Sequence, residues 1–478
     1  MSPASSDIVV IGAGPAGIVA ALRAADLGAK TTLLSRGEFG GMAGNDGPVP
    51  VRTLAHAARL LRDAGQQALY GIRSAGTSLD YPALLGRVQE VVGAVGTRSS
   101  FRAQLESLGV RVLENAGSAR FVDAHTVVTG DGGRHPAGKF IVCTGGRSRK
   151  LPIPGFELTA THSDAWGLSA VPESMIVVGA GATGAQVASI FNAFGTRVQL
   201  FQAGPRILPT EDADVSAAVA EGFRASGVAV HEDFGTIERF ERAPAGVRMA
   251  YRKDGATRTA AAALVVTAVG WVADTEELEP AAAGITLDER GFIRVDEHLR
   301  TSAQHVHAAG DAIGRVMLVP QAIQGGFIAA TNAVRGPTLA AEPQAAPIGS
   351  FTEPEYAQVG LTESRARERH AVVIGRIDFD ATTRTIIDGR TEGFCKLVVD
   401  AATRRILGCH IVGERAVEIA QLAALAMSGA MTVDALARAP LSYPTYGAVL
   451  GRVAAQVAHE LGASTVSAGR TAENYMPA

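Results

Sequence analysis

Cysteine, aromatic residues and net charge are all scarce in this chain of 478 residues, and each shortage excludes something. Three cysteines, Cys143, Cys395 and Cys409, make no disulfide framework and fit a reducing compartment. A formal net charge of -3 gives no electrostatic reason to expect nucleic acid or an anionic membrane as partner. No apolar run reaches the roughly 18 residues that a spanning helix needs. The first expected strand, Ile8 to Ile11, starts almost at the N-terminus and leaves no room for a signal peptide. These absences together point to a cytoplasmic protein. The eleven histidines show no metal-like cluster; His305 and His307 alternate along an expected strand and suggest a structural role, so no metal is expected.

What is abundant is glycine, at 55 residues, in a chain that is 47% hydrophobic and 19% charged. That balance is globular, and the length suits about three domains. Glycine in such number suits an α/β protein with many tight strand-to-helix turns. One supersecondary unit occurs twice. The apolar run Ile8–Ile11 leads into Gly12-Ala-Gly14-Pro15-Ala16-Gly17, then a helix to Leu27 and a strand from Thr31 to Leu34. Met175–Val178 leads into Gly179-Ala-Gly181-Ala-Thr183-Gly184, then a helix to Phe194 and a strand from Arg197 to Phe201. In such a motif the first glycine allows the turn, the second lets a pyrophosphate approach the backbone, and the third lets the helix pack closely. A single copy is a weak signal. Two copies, each between a strand and a helix, imply two dinucleotide-binding domains.

Between the copies a long helical region is expected from Tyr81 to Leu108, then strands ending at Phe140–Cys143. His305 to Ala309 reads as a buried strand, followed by a helix from about Pro320. The Ala/Pro-rich stretch Ala340–Pro347 is the best linker. Beyond it, Cys395–Val399 and Ile406–Val412 read as an antiparallel pair, and Ala416–Met427 and Tyr446–Leu461 as helices.

On these motifs the chain resembles the pyridine nucleotide-disulfide oxidoreductases, the family of dihydrolipoamide dehydrogenase, glutathione reductase and mercuric reductase. Gly40-Gly41, Thr144-Gly145-Gly146, Thr267–Gly270, Ala308-Ala-Gly310-Asp311, Phe351–Pro354, Gly360–Glu363 and Gly408–Gly413 match further family motifs. The resemblance implies an α/β fold of two Rossmann-like domains with a C-terminal α+β dimerisation domain. It implies an FAD domain in two parts, 1–150 and 273–345, an NAD(P) domain at 151–272 and a dimerisation domain at 346–478. FAD would be bound by Gly12, Gly14, Pro15, Ala16, Gly17, Ser35, Arg36, Gly41, Met42, Thr144, Gly145, Gly310 and Asp311. NAD(P)H would be bound by Gly179, Gly181, Thr183, Gly184, Gln202 and Gly270. Ser35 and Gln202 stand where an acidic residue normally binds ribose hydroxyls, each 23 residues past the first glycine of its motif. Loss of that acid at Gln202 removes the bar to NADP, but Arg206 is the only nearby cation, so NADH is expected.

The departures from the family carry the functional argument. The family's redox helix holds a cysteine pair in the pattern GG-x-C-x-x-x-x-C. Here Gly40-Gly41-Met42-Ala43-Gly44-Asn45-Asp46-Gly47-Pro48 puts Ala43 and Pro48 in those places, and neither can form a thiolate. The C-terminal His-Glu pair is also replaced, by Tyr443 and Ala448 in Leu441–Ala448. None of Cys143, Cys395 and Cys409 has the helical spacing of the family's pair or a resolving partner beside it in sequence. Small apolar packing is the expected role of all three. Arg52 and Gln186 take the places of a lysine and a glutamate that meet beside the flavin in the family, where Arg52 would stabilise reduced flavin. Tyr443 and Tyr446 offer flat apolar faces for a planar acceptor across a two-fold interface.

The expectation is a homodimeric FAD-dependent NAD(P)H oxidoreductase that passes electrons straight to a small diffusible acceptor such as a quinone. Alternatives are a soluble pyridine nucleotide transhydrogenase, to which Pro320–Gly325 bears some likeness, a specialised small-molecule oxidoreductase, or a silent flavoprotein with a binding role.

Overall fold

A computed structural model describes residues 6–73, 76–98, 100–341 and 346–462. Part of the expected linker (342–345) and the end of the expected dimerisation domain (463–478) lie outside these described residues.

The first sheet runs in the order Arg111–Leu113, Thr31–Leu34, Ser6–Ile11, Arg134–Val142, Thr126–Val128, Arg120–Asp123. Ser6–Ile11 is parallel to both its neighbours, as a strand–helix–strand crossover requires. Its residues alternate between two cores. Ile8 and Val10 pack with the helix Pro15–Asp26, while Val9 and Ile11 pack with Phe121, Phe140 and Val306. Burial on both faces explains why the strand reads as an unbroken apolar run. The late strand Val306–Ala308 returns to this sheet, parallel to Arg134–Val142 with Ala308 opposite Val142. The helix Val319–Arg335 then packs along Pro15–Asp26, so close that a Cβ at Gly326 would stand 2.1 Å from the Ala16 carbonyl oxygen.

The second glycine motif opens a four-stranded parallel sheet, Ala229–His231, Arg197–Phe201, Ser174–Val178, Leu264–Thr267. The helices Ala182–Ala193 and Ala213–Ala225 cover one face, and an antiparallel meander from Thr236 to Ala262 covers the other. The chain enters and leaves this unit through Gly146–Ser148 and Trp271–Ala273, which pair antiparallel.

A five-stranded antiparallel sheet follows, in the order Ile348–Ser350, Tyr356–Gly360, Ile406–Gly413, Gly393–Asp400, Val372–Asp378. Helices Ala416–Ser428 and Ala448–Glu460 bury Cys395, Leu397, Ile411 and Val453 between them and the sheet.

Two expectations need correction. The helical stretch expected over Tyr81–Leu108 is two helices, Tyr81–Arg98 and Phe101–Ser107. Ser100 stands immediately before the second helix, and serine competes for the backbone hydrogen bonds that would continue a helix. The strand expected from His305 is only Val306–Ala308, and the His305 ring instead bonds the Ala124 carbonyl at 2.6 Å and lies against His125.

Candidate active site

Gly12 has a φ of 106°, and a Cβ there would stand 2.1 Å from the Cys143 carbonyl oxygen. A Cβ at Gly17 would stand 1.7 Å from the Gly12 carbonyl, so neither position tolerates a side chain. Gly14 has open space where its Cβ would point. The helix that starts after Gly14 carries Pro15 in its first turn, Ala16 buried behind it, and no side-chain cap. Its leading amides are therefore free for an anion. The second motif repeats this construction. Gly179 has a φ of 93° and packs on the Ala268 carbonyl, Gly184 packs on the Gly179 carbonyl, and Thr183 lies in the first turn of an uncapped helix led by Gly181.

Several other expected residues gather around the first motif. Gly40 donates its backbone N–H to the Ala13 carbonyl at 3.0 Å, which brings the segment Gly41-Met42 onto the loop. Gly310 packs against the Ala16 methyl, and Asp311 lies against Gly146, next to Gly145 and Thr144. Thr144 Oγ1 is buried with no protein partner. Burial also pushes the Asp311 carboxyl above its ordinary value, with no cation to offset it. Two polar groups facing one loop without protein partners, together with the glycine cradle, fit the ribityl and pyrophosphate portions of FAD.

The ribose positions differ from each other. Ser35 is buried, and its hydroxyl donates to the Glu38 carbonyl, leaving its lone pairs to accept. Arg36 is drawn outward by Asp274 at 3.0 Å and Glu277 at 3.6 Å. Gln202 uses its Oε1 to accept the Ala180 N–H at 3.0 Å, so its amide nitrogen is the end left for a ribose. Arg206 is occupied by the carbonyls of Pro209 and Glu211. Gly270 is exposed, with a φ of 109°, at the end of the second sheet.

Arg52 and Gln186 do not meet. The Arg52 guanidinium lies over the Phe351 ring, near Glu355 and Glu418, while Gln186 Nε2 bonds its own helix at the Ala182 carbonyl. A planar cation stacks on an aromatic face where a lysine ammonium would reach for a carboxylate, and Gln186 offers no carboxylate. Tyr443 and Tyr446 stand on the third domain. Tyr443 is 46% exposed and its hydroxyl donates to Thr383 Oγ1 at 3.0 Å; that of Tyr446 donates to Asp388 at 2.9 Å.

The cysteines sit away from any thiol chemistry. Cys143 is buried, and burial pushes its thiol up to about 12. Cys395 and Cys409 are side by side across adjacent strands, their thiols in hydrogen-bonding contact, so the expectation that neither has a neighbouring thiol is corrected. Both are fully buried, and the Cys409 thiol is held well above its ordinary value. Nucleophilic thiolate is thereby suppressed. Among the described residues no group of His, Cys, Asp and Glu could hold a metal ion.

One cluster beside the first motif was not legible in the sequence. Asp46, inside the segment that replaces the redox helix, accepts from Ser163 Oγ at 2.5 Å. His162 Nε2 is 3.4 Å from the same hydroxyl, and His162 Nδ1 is 3.3 Å from Ser148 Oγ. The partners lie 117 residues apart, and no periodicity or motif connects them.

Two mutually packed nucleotide folds joined to an antiparallel third domain define a class of two-dinucleotide reductases. Comparison with known proteins agrees. The family profile for pyridine nucleotide-disulphide oxidoreductase matches residues 6–326, and that for the family's dimerisation domain matches 346–454. Dihydrolipoyl dehydrogenase 3 of Haloarcula marismortui is 33% identical over 447 residues, covering 90% of this chain and 92% of its own. The dihydrolipoyl dehydrogenase of Zymomonas mobilis is 34% identical, covering 87% of this chain and 90% of its own. A solved structure of the HOCl-induced flavoprotein disulfide reductase RclA from Escherichia coli, a Cu(II) complex, superposes with a TM-score of 0.84 at 24% identity. It covers 95% of this chain and 100% of its own, and that likeness is one of fold. The chain belongs to the pyridine nucleotide-disulphide oxidoreductase family. It is accordingly an FAD-dependent NAD(P)H oxidoreductase with a domain built for homodimerisation. Among the described residues no helix is long and apolar enough to cross a membrane.

Proposed function

We propose that this chain carries electrons from a nicotinamide, NADH in preference to NADPH, through FAD to a small diffusible acceptor such as a quinone, with no protein disulfide in the path. The observation that carries this reading is the pair Ala43 and Pro48 at the positions of the family's cysteines, in a chain whose three cysteines are all buried. A dithiol relay needs an accessible thiolate and a resolving partner. Bound in the Gly12–Gly17 and Gly310–Asp311 cradle, FAD would supply the two-electron step between nicotinamide and acceptor. The domain limits 1–150, 151–272, 273–345 and 346–478 belong to the same reading.

Individual residues take roles within it. Gly12, Gly14 and Gly17 admit the pyrophosphate, and Asp311 and Thr144 bond the ribityl side. Gly179, Gly181 and Gly184 do the same for the nicotinamide dinucleotide, and Gln202 orients its ribose. Arg52 supplies a permanent positive charge near the junction with the third domain, where reduced flavin would be anionic. Tyr443 and Tyr446, from the partner protomer, form the apolar wall of the acceptor pocket. Location in the cytoplasm accords with free cysteines and a diffusible electron donor.

The test is an anaerobic acceptor screen. The flavin is first reduced with NADH or NADPH in a stopped-flow instrument, then mixed with quinones, lipoamide, glutathione disulfide or a second nicotinamide. Rapid reoxidation by quinone and none by disulfide is expected. Reoxidation by a nicotinamide analogue alone would establish a transhydrogenase instead.

A further inference from the structure

Reduction of a quinone to a hydroquinone consumes two electrons and two protons. A hydride from the nicotinamide carries both electrons and one proton, so one more proton must be supplied. Family members that use the C-terminal His-Glu pair have a source, and this chain has Tyr443 and Ala448 in those places. Its own candidate lies on the opposite side of the sequence.

His162 is buried, with 4% of its surface exposed, at the start of the helix His162–Trp166. Its ring stands between Trp271, at 5.0 Å, and Trp166, at 6.4 Å, so water reaches it poorly. The hydrogen bonds around it have only one consistent direction. Ser163 has a single hydroxyl proton, and at 2.5 Å the Asp46 carboxylate, an acceptor only, takes it. His162 Nε2, at 3.4 Å from Ser163 Oγ, must therefore be the donor in that contact. Nδ1 of the neutral ring is then the acceptor, and the Ser148 hydroxyl donates to it at 3.3 Å. The chain runs Ser148 to His162 to Ser163 to Asp46, every proton pointing toward Asp46.

Its two ends lie at different places. Ser148 sits opposite Trp271 in the paired strands that join the two nucleotide domains. Asp46 stands between Ala43 and Pro48, in the segment that packs on the Ala13–Gly14 loop, with 38% of its side chain exposed. Among the described residues the charged groups facing His162 are Asp46, at 4.0 Å, and Asp164, with no cation. Desolvation outweighs both carboxylates and lowers the imidazole below its ordinary value, which keeps it a neutral relay near pH 7.

We propose that Ser148, His162, Ser163 and Asp46 form a proton relay, with Asp46 as the terminal acid that protonates the acceptor. It rests on the reading of the acceptor as a proton-consuming small molecule. The overall balance is NADH plus quinone plus one proton to NAD+ plus hydroquinone. The resting Asp46 carboxylate first takes the Ser163 proton, and the O–H so formed breaks as the acceptor's second O–H forms, which returns the carboxylate. Ser163 passes its proton to the carboxylate and takes the Nε2 proton of His162. His162 in turn takes a proton at Nδ1 from Ser148, which solvent replenishes. Asp46 acts on the acceptor; Ser163 and His162 act through it and are positioning residues.

Two measurements test the relay in the purified holoprotein. The first is histidine-ring NMR of the wild type, D46N and S163A, which reads the relay without turnover. The expected result is a neutral His162 protonated at Nε2, whose titration midpoint falls in D46N because a carboxylate that favours the imidazolium is gone. A ring protonated at Nδ1, or a midpoint unmoved by D46N, overturns the chain. The second is the ratio of flavin reoxidation rates with benzoquinone and with ferricyanide, an oxidant that takes electrons without protons. That ratio should fall about tenfold or more in D46N and S163A, lose its pH dependence, and recover toward wild type in D46E. An unchanged ratio in both overturns the proton's path. A wild type inert toward benzoquinone would instead defeat the acceptor reading, which the NMR result keeps distinguishable from failure of the relay.

Discussion

Gly41 lies directly on Gly14: a Cβ added at Gly41 would stand 2.8 Å from the Gly14 Cα. The contact couples the segment that replaces the redox helix to the loop that admits the FAD pyrophosphate. Gly41 also has a φ of 57°, which a non-glycine residue adopts only with strain. Gly41→Ala should therefore be purified with several-fold less flavin than wild type, read as the ratio of flavin to protein absorbance. Full flavin content in that variant would show that the loop has slack this packing does not suggest.

Gln202 spends its oxygen on the Ala180 N–H and presents only an uncharged amide to a bound ribose. Gln202→Glu keeps the acceptor for Ala180 and adds a negative charge beside the 2′ position. KM for NADPH should rise about tenfold or more while KM for NADH changes little. Equal increases for both reductants would mean that residue 202 does not face the ribose.

Buried carboxyls at the contact between the second and third domains set a pH dependence of stability. Glu211 is 4% exposed; its Oε1 accepts from Gln358 and its Oε2 has no partner. Burial pushes its carboxyl up to about 7 from 4.5. Between those values the folded chain keeps a proton that the unfolded chain has lost. Stability therefore falls as pH rises through that window and stays low above it. Glu211→Gln removes the penalty. It should leave Tm nearly unchanged below pH 4.5 and raise stability above pH 7, by on the order of 2 kcal/mol. Thermal shifts at pH 4.5, 6 and 8 check this, and a loss of stability at pH 8 would contradict it.

The glycine motifs were legible because the turn chemistry is local. A residue with positive φ, an open Cβ position and an uncapped helix all fall within six residues of Gly12 or Gly179. The same holds for strand Ser6–Ile11, whose two-sided burial shows as a run of apolar residues. What the sequence left hidden depends on contacts distant along the chain. Arg52 meets Phe351 across about 300 residues, so a pairing inferred from Gln186 could not anticipate it. Cys395 and Cys409 become neighbours only through the strand register. Asp46, Ser148, His162 and Ser163 carry no spacing that ties them together; only folding of the linker strands against the glycine loop does so.

Tyr443 is exposed on the third domain, and its hydroxyl donates to Thr383. Tyr443→Ala should slow flavin reoxidation by quinone, by roughly one order of magnitude, while reduction by NADH and the dimer mass stay as in wild type. Half-reaction kinetics with light scattering separates these. Reoxidation unchanged over a range of quinones would assign the tyrosine to packing.

The central claim is that electrons leave reduced flavin without passing through protein thiols. The most direct measurement uses a variant in which Cys143, Cys395 and Cys409 are all replaced by serine, or by alanine where serine impairs folding. Its flavin is reduced anaerobically by NADH and mixed with benzoquinone, and in parallel with lipoamide. Reoxidation by benzoquinone at a rate within about twofold of wild type is predicted. Neither protein should reduce lipoamide. Lipoamide turnover by the wild type that disappears in the cysteine-free variant, together with loss of quinone reduction, would contradict the account.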